Sequence, residues 1–150
     1  MNSLRTSRPT RAAAASGLLL FLAVLACGCG ESRLPTAPVT GKVLYNGEPL
    51  QFGLVMTRPD VGPLARGTIQ PDGSFSLSSY ESDDGAVLGT HRVRVTCFEN
   101  QRPGAVPPPA DTEATLGRSW IPPRYANFHS SGLTLDVQPH NEPLVLELGD

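Results

Sequence analysis

Several features that define common functional classes are scarce in this chain of 150 residues. Charged residues make up only 17% of it, and 12 Lys and Arg are outnumbered by 14 Asp and Glu. We therefore expect no basic surface that could neutralise a series of phosphates, and no nucleic-acid partner. No 3.6-residue hydrophobic period follows residue 30, while Gly and Pro each number 15. This composition argues against helical bundles and favours many short strands joined by turns.

Motifs of nucleophilic catalysis and of nucleotide binding are also missing. No serine stands in a Gly-x-Ser-x-Gly sequence, and no glycine-rich phosphate loop joins a strand to a helix. The chain has three histidines, at His91, His129 and His140. Their positions fit neither a catalytic triad nor a zinc site with Cys97. We therefore expect no enzymatic activity, no catalytic residue and no cofactor.

An acidic segment before Gly85 is the nearest approach to a calcium loop. It contains Glu81, Asp83 and Asp84, but it lacks the alternate-residue ligand spacing and the glutamate at the twelfth position. A solvated acidic turn is the better interpretation, and no metal site is expected.

The first 26 residues have the layout of a secretory signal peptide. Arg5, Arg8 and Arg11 precede an uncharged, largely apolar stretch from Ala12 to Ala26. This stretch is shorter than the roughly 20 residues that a permanent membrane helix needs, so cleavage is favoured over a retained anchor helix. Export to the periplasm or the cell surface is the expected localisation.

The end of this segment resembles a bacterial lipobox. Val24-Leu25-Ala26-Cys27 has an aliphatic residue three positions before the cysteine and a small residue directly before it, although Leu25 stands where a small residue is usual. Lipidation is therefore expected at Cys27, with Cys29 as the alternative because Gly28 precedes it. The mature chain would carry nine basic and 14 acidic residues and would be attached to a membrane through an N-terminal lipid.

The mature chain is predicted to contain a flexible tether over residues 27–38 and one β-domain over residues 39–150. Residues of alternating polarity predict seven short strands, and only one face of each is apolar. Two antiparallel sheets that cover each other, a β-sandwich, satisfy this pattern. The expected inward residues are Val39, Gly41, Val43 and Tyr45; Phe75 and Leu77; Val93, Val95 and Cys97; Leu133, Leu135 and Val137; and Leu144, Leu146 and Leu148.

Two turns are predicted to close hairpins. Asn46-Gly47 offers positive φ angles for a tight turn, with Leu50 to Thr57 as the partner strand. Pro71-Asp72-Gly73 is expected to join strands at 67–70 and 74–80. On the strand over 91–98, Arg92 and Arg94 are expected to face water, and Cys97 is expected to be a buried, inert thiol.

One proline-rich segment, residues 99–123, breaks the strand pattern and is long for a loop in a compact domain. Aromatic and basic residues lie at its end and just beyond it. We expect Trp120, Arg124, Tyr125 and Phe128 to cover the end of the domain. Trp120, Tyr125 and Tyr80 could stack on sugar rings, and Trp120 and Tyr125 are the candidate ligand contacts.

The motifs of the domain together resemble a family of small bacterial lipoproteins. They are Val39-Thr40-Gly41-Lys42-Val43, Asn46-Gly47-Glu48-Pro49-Leu50, Asp72-Gly73-Ser74-Phe75-Ser76-Leu77, Asp84-Gly85-Ala86-Val87-Leu88-Gly89, Ile121-Pro122-Pro123-Arg124-Tyr125 and Ser131-Gly132-Leu133-Thr134. That family carries a transthyretin-like, or carboxypeptidase-regulatory-like, domain. The resemblance implies a seven-stranded, prealbumin-type Greek-key sandwich and supplies no catalytic set.

Two functions fit these features. The first is a lipid-anchored structural or protein-interaction module of the cell envelope. The second is a carbohydrate-binding accessory module, which would require several coplanar exposed aromatic rings.

Overall fold

Ten short strands form the regular structure of residues 33–105 and 117–150, which are the residues that this computed structural model describes. The strands are β1 (Thr36–Ala37), β2 (Thr40–Tyr45), β3 (Glu48–Pro49), β4 (Leu54–Pro59), β5 (Ala65–Thr68), β6 (Ser74–Ser76), β7 (Ala86–Val87), β8 (Gly89–Thr96), β9 (Leu133–Val137) and β10 (Leu144–Leu148). Two 3-10 turns, Glu99–Gln101 and Pro123–Ala126, complete the described elements. The expected all-β class is thus confirmed, while the predicted signal peptide and both lipidation candidates lie outside the described residues.

The strands form two four-stranded sheets and one two-stranded sheet. In the first sheet, β2 pairs with β10 along one edge and with β3 and β6 along the other. The second sheet has the strand order β5-β4-β8-β9. The small sheet joins β1 to β7.

One pair of strands is parallel, contrary to the expectation of purely antiparallel pairing. The last strand, β10, lies parallel to β2, with Leu144 opposite Gly41 and Leu148 opposite Tyr45. The remaining pairs between the described strands are antiparallel. The count also differs from seven, because β1, β3 and β7 are additional strands of only two residues each.

A single hydrophobic core takes side chains from both four-stranded sheets. Val43, Phe75 and Leu146 come from the first sheet, and Val55 and Val95 from the second. The predicted alternation of inward and outward residues is confirmed along β2, β6, β8 and β10. It holds because a period of two places successive side chains on opposite faces of a strand.

The first predicted turn forms, but its predicted partner strand was wrong. Asn46 and Gly47 have φ of 51° and 83°, as a tight hairpin turn requires. The returning strand is only Glu48–Pro49. At Gly53, with φ of 130°, the chain enters the second sheet, where a Cβ atom would lie 2.3 Å from the Thr96 carbonyl oxygen. The absence of a side chain at Gly53 permits this close approach, and from Leu54 onward the chain pairs with β5 and β8 instead.

The second predicted turn also forms but joins strands of different sheets. Gly73 has φ of 82°, and the Gly73 N–H donates to the Gln70 carbonyl oxygen at 2.8 Å. Strand β5 belongs to the second sheet and β6 to the first. Arg66 and Ser78 form an isolated bridge across this corner, and the Gln70 N–H donates to the Ser74 carbonyl oxygen at 2.8 Å. The turn therefore links the two layers.

The domain begins earlier than the sequence indicated. Residues 34–38 belong to the predicted tether, but Thr36–Ala37 pairs with β7 and Ala37 is buried. The Leu88 N–H also donates to the Pro35 carbonyl oxygen at 3.2 Å. These bonds make residues from Leu34 onward part of the folded unit.

Candidate functional site

An open cleft of about 850 Å³ lies beside the end of β8, and Trp120 forms part of its wall. We call it the Trp120 cleft. Its lining residues are Lys42, Tyr45, Glu48, Pro49, Leu50, Gln51, Phe52, Pro71, Asp72, Cys97, Arg102, Pro103 and Trp120. The two turns that the sequence predicted, at 46–47 and 71–73, bring most of these residues to the same end of the domain.

Backbone hydrogen bonds fix the position of Trp120. The Trp120 N–H donates to the Cys97 carbonyl oxygen at 2.8 Å, and Ser119 forms a bridge with Phe98. The next residue, Ile121, is buried in the core. Although its backbone is held on both sides, the Trp120 side chain remains 49% exposed. A rigidly placed, exposed tryptophan is the most conspicuous binding feature of the cleft.

Two further side chains pack around the indole ring. Phe52 meets Trp120 edge to face, with ring centres 5.8 Å apart and an interplanar angle of 76°. The Arg102 guanidinium lies 4.8 Å from the centre of the Trp120 ring and 5.5 Å from that of Phe52. These cation–π contacts orient the arginine over the aromatic pair.

The 3-10 turn Glu99–Gln101 delivers Arg102 to this place. The Gln101 side chain accepts a hydrogen bond from the Phe98 N–H at 2.7 Å and donates to Thr96 Oγ1 at 3.0 Å. The Arg102 N–H donates to the Glu99 carbonyl oxygen at 3.3 Å. The start of the proline-rich segment is therefore tied to the end of β8.

Charges of both signs surround the apolar part of the cleft. Lys42 and Arg102 are basic, and Glu48 and Asp72 are acidic. A hydrogen bond from the Ser74 hydroxyl, at 2.6 Å, and another from the Ser74 N–H lower the pKa of Asp72. The carboxyl group of Asp72 is consequently ionised at neutral pH.

Cys97 lies at the base of the cleft and is fully buried, which confirms its predicted placement. Burial raises the pKa of its thiol to about 11, and the charge of Arg102 opposes this only in part. The thiolate is the nucleophilic form of cysteine, so this thiol has little nucleophilic character at neutral pH.

Tyr125, the second candidate ligand contact, does not line the cleft. It is only 6% exposed and belongs to the core, and its hydroxyl exchanges hydrogen bonds with the backbone of Gly149. A bond with the Gly149 backbone, aided by Arg124, lowers its pKa. The structure thus separates the two predicted contacts: Trp120 is available to a ligand, and Tyr125 holds the C-terminal end of the chain.

Asp84 has a structural role in the acidic turn. Both carboxylate oxygens of Asp84 accept backbone hydrogen bonds, from Ser79 at 2.7 Å, Tyr80 at 2.9 Å and Glu81 at 3.1 Å. Burial opposes ionisation of Asp84, but these three bonds outweigh it and lower its pKa. Asp84 therefore closes the turn before Gly85.

Hydrogen bonds also account for the buried histidine. His91 is completely buried, with Nδ1 3.1 Å from Thr57 Oγ1 and Nε2 2.7 Å from the Val87 carbonyl oxygen. Both ring nitrogens are satisfied within the protein. Across residues 33–105 and 117–150, no group of three or more His, Cys, Asp or Glu side chains is arranged to hold a metal ion.

The outer face of the second sheet is rich in arginine, although the composition of the whole chain predicts no basic surface. Arg58, Arg92 and Arg94 lie on β4 and β8, and Arg66 lies on β5. The Phe128 ring contacts the guanidinium groups of Arg58 at 4.5 Å and Arg94 at 4.9 Å. The strand pattern predicts that Arg94 faces water, but it is half-buried because Phe128 and Met56 Sδ pack against it.

Within the described part of the chain, no helix is long and apolar enough to cross a membrane. Comparisons with models of protein families, with curated proteins and with solved structures found no match to the chain.

Proposed function

We propose that this protein is an exported, lipid-anchored and non-catalytic β-sandwich module of the cell envelope, and that it binds a partner protein through the Trp120 cleft. The observation that carries this proposal is the exposed, backbone-fixed Trp120 beside Arg102 in an open cleft. Tryptophan and arginine are over-represented among the side chains that dominate the binding energy of protein interfaces.

The remaining lining of the cleft favours a polypeptide ligand. Pro49, Leu50, Pro71 and Pro103 supply apolar surface beside the aromatic pair. The charged residues of both signs suit the mixed side chains of a protein segment better than a ligand of one charge. Because the cleft lies at turns held by hydrogen bonds, little ordering would be needed on binding.

The sequence motifs support the remaining parts of this proposal. The lipobox-like sequence at Cys27 favours the lipid anchor, with Cys29 as the alternative. The two sheets around one core are compatible with the Greek-key sandwich that the lipoprotein resemblance implies. In this proposal the domain supplies a binding surface at the membrane and no chemistry.

Photo-crosslinking in intact cells tests the protein partner. A photoreactive residue at exposed Gln51, inside the cleft, should give a discrete protein adduct that disappears in the Trp120→Ala background. The same residue at exposed Gln138, outside the cleft, is the matched control. Identical adducts from both positions, or adducts that persist without the indole, would contradict a role for the cleft.

Carbohydrate binding is the second candidate, and the exposure of Trp120 favours it. Two features count against it: Phe52 is nearly perpendicular to the indole, so no flat aromatic platform exists there, and Arg102 already contacts the indole ring. Trp120 is the sole tryptophan of the chain, so its fluorescence reports directly on this cleft. Saturable fluorescence changes with envelope oligosaccharides would favour this candidate over a protein partner.

A further inference from the structure

Most of the exposed large apolar side chains lie at one end of the domain. Six such side chains occur in the described residues, and four of them are Leu34, Val61, Leu64 and Leu88. We call these four residues the apolar tip. Val61 is the extreme case, at 74% exposed. The other two, Trp120 and Val145, lie elsewhere.

Short connections bring the four residues of the tip together. Val61 and Leu64 belong to the loop between β4 and β5, and a Cβ atom on Gly62 of this loop would lie 2.9 Å from Leu34 Cδ1. Leu88 is linked to the same segment, because its N–H donates to the Pro35 carbonyl oxygen at 3.2 Å. A group of exposed apolar residues in one place marks a contact surface better than scattered ones do.

The position of the tip in the chain indicates what it contacts. Leu34 is the first residue of the folded unit, so the tip is the point where the domain joins the segment that leads to Cys27. Seven peptide steps separate the two residues, and a fully extended chain of that length spans about 25 Å. From Cys29 the limit is about 18 Å. Either lipid would hold the tip close to the membrane surface.

We propose that the apolar tip rests in the headgroup region of the bilayer that carries the lipid anchor. This inference rests on the proposed lipid anchor and adds a fixed orientation to it. Apolar side chains that enter the boundary between headgroups and acyl chains add to the binding that a lipid chain provides. Tyr80, whose hydroxyl accepts a hydrogen bond from the Leu34 N–H at 3.1 Å, belongs to the residue types that favour this boundary. Asp60, the one charged residue of the loop 60–64, is exposed, so its carboxylate would remain hydrated at headgroup level.

The opposite end of the domain would then face away from the membrane. Strand β8 begins at Gly89, next to Leu88 of the tip, and ends at Thr96, next to Cys97 in the Trp120 cleft. Its eight residues span about 26 Å at the usual rise of a strand. The tip and the cleft are therefore at opposite ends of one strand, and a domain seated on its tip presents the cleft to the envelope.

Two exposed valines provide a matched test. Val61→Cys lies in the tip, whereas Val145→Cys lies on β10, 57% exposed and outside the tip. Each exported full-length variant is labelled with an environment-sensitive dye and combined with phosphatidylethanolamine and phosphatidylglycerol vesicles that carry a nitroxide quencher in the lipid. The parent chain, labelled in the same way, gives the background signal from dye attached to its own cysteines. We expect several-fold stronger quenching at position 61 than at position 145.

Equal quenching at the two positions would overturn the proposed orientation. The mass of the N-terminal peptide from the same preparation tests the anchor separately. If the chain is lipidated and quenching is equal at the two positions, the proposed anchor stands and only the contact of the tip with the bilayer is refuted. Stronger quenching at position 61 in a chain whose N-terminus carries no lipid would support the seated tip and refute the anchor.

Discussion

Val95 occupies the centre of the core on β8 and is fully buried. Val95→Asp would place an unpaired charge there, so we expect a loss of several kcal/mol in the free energy of unfolding, enough to abolish folding of an ordinary domain. Urea unfolding measures this loss.

The matched control for Val95 is Arg92→Asp, because Arg92 lies on the outer face of the same strand and is exposed. It should change stability by no more than about 1 kcal/mol. Arg94 is unsuitable because its side chain packs on Phe128. A larger loss at Arg92 than at Val95 would mean that the faces of β8 are inverted.

Asp84 should make folding stability depend on pH. Its folded-state pKa is lowered, so its contribution is present above the unfolded pKa, near 4, and is lost as pH falls through the folded value. We expect Asp84→Asn to cost about 1–2 kcal/mol at pH 7, because its amide NH2 group cannot accept the backbone hydrogen bonds that one carboxylate oxygen accepts. The difference from the parent should shrink below about pH 4, measured by urea unfolding at several pH values.

Asp83→Asn is the control for the acidic turn. Asp83 is exposed and has φ of 60°, a conformation that asparagine also accepts. The free energy of unfolding of the Asp83→Asn variant should stay within about 0.5 kcal/mol of that of the parent. Equal effects at positions 83 and 84 would show that net charge, rather than the bonds to Asp84, stabilises the turn.

The thiol of Cys97 should react slowly with thiol reagents in the native protein. Burial blocks access, and a pKa of about 11 leaves little thiolate at pH 8. Peptide mass mapping in increasing urea should show that modification of Cys97 begins with unfolding. Rapid native labelling would contradict its position below the cleft.

At the scale of elements, the alternation of polarity predicted the buried faces correctly, because it depends only on residues two apart. Positive φ at Asn46, Gly47 and Gly73 was equally predictable from local turn chemistry. The sheet that each strand joins was not predictable from the sequence, because it depends on contacts between distant residues, such as that of Gly53 with Thr96. No local sequence pattern predicted that β10 would lie parallel to β2 either.

The same limit applies to the candidate site. Trp120 and Tyr125 are both aromatic residues near the end of the proline-rich segment, and no local pattern distinguishes them. Their difference in exposure arises from bonds to Cys97 in one case and to Gly149 in the other. Phe52 and Arg102 were missed because nothing nearby in the sequence connects them with Trp120.

The pairing of β2 with β10 requires a residue without a side chain at Gly41. A Cβ atom there would lie 2.3 Å from the Leu144 carbonyl oxygen and 2.9 Å from the Phe75 ring. Gly41→Ala should therefore destabilise the domain by about 1–3 kcal/mol, as overpacking usually does. Thermal or urea unfolding is the measurement.

Gly149→Ala is the matched control for Gly41, since the nearest atom to a Cβ there is 3.9 Å away. It should remain within about 0.5 kcal/mol of the parent. If Gly41→Ala proves equally harmless, the two strands are not packed as closely as described.

At the scale of the whole molecule, the proposals give the two ends of the domain different surroundings. The apolar tip would face lipid, and the Trp120 cleft would face the envelope. The anchor is the part of this arrangement that is simplest to test. Mass spectrometry of the membrane fraction should find a diacylated Cys27 as the N-terminal residue of the mature chain.

Two results bear on that anchor. Lipid on Cys29 instead would select the alternative site and shorten the link to Leu34. An intact segment of residues 1–26 in the mature protein would refute both cleavage and lipidation.

The parallel pair of β2 and β10 also determines when the polypeptide can complete its fold. Gly41 and Leu144 are about a hundred residues apart, so the chain must close a very long loop before they meet. Until the final residues arrive, one edge of β2 offers unpaired backbone groups to any passing strand. A polypeptide that crosses a membrane N-terminus first would remain in an incompletely folded state, open to chaperones and proteases, until its last segment had emerged.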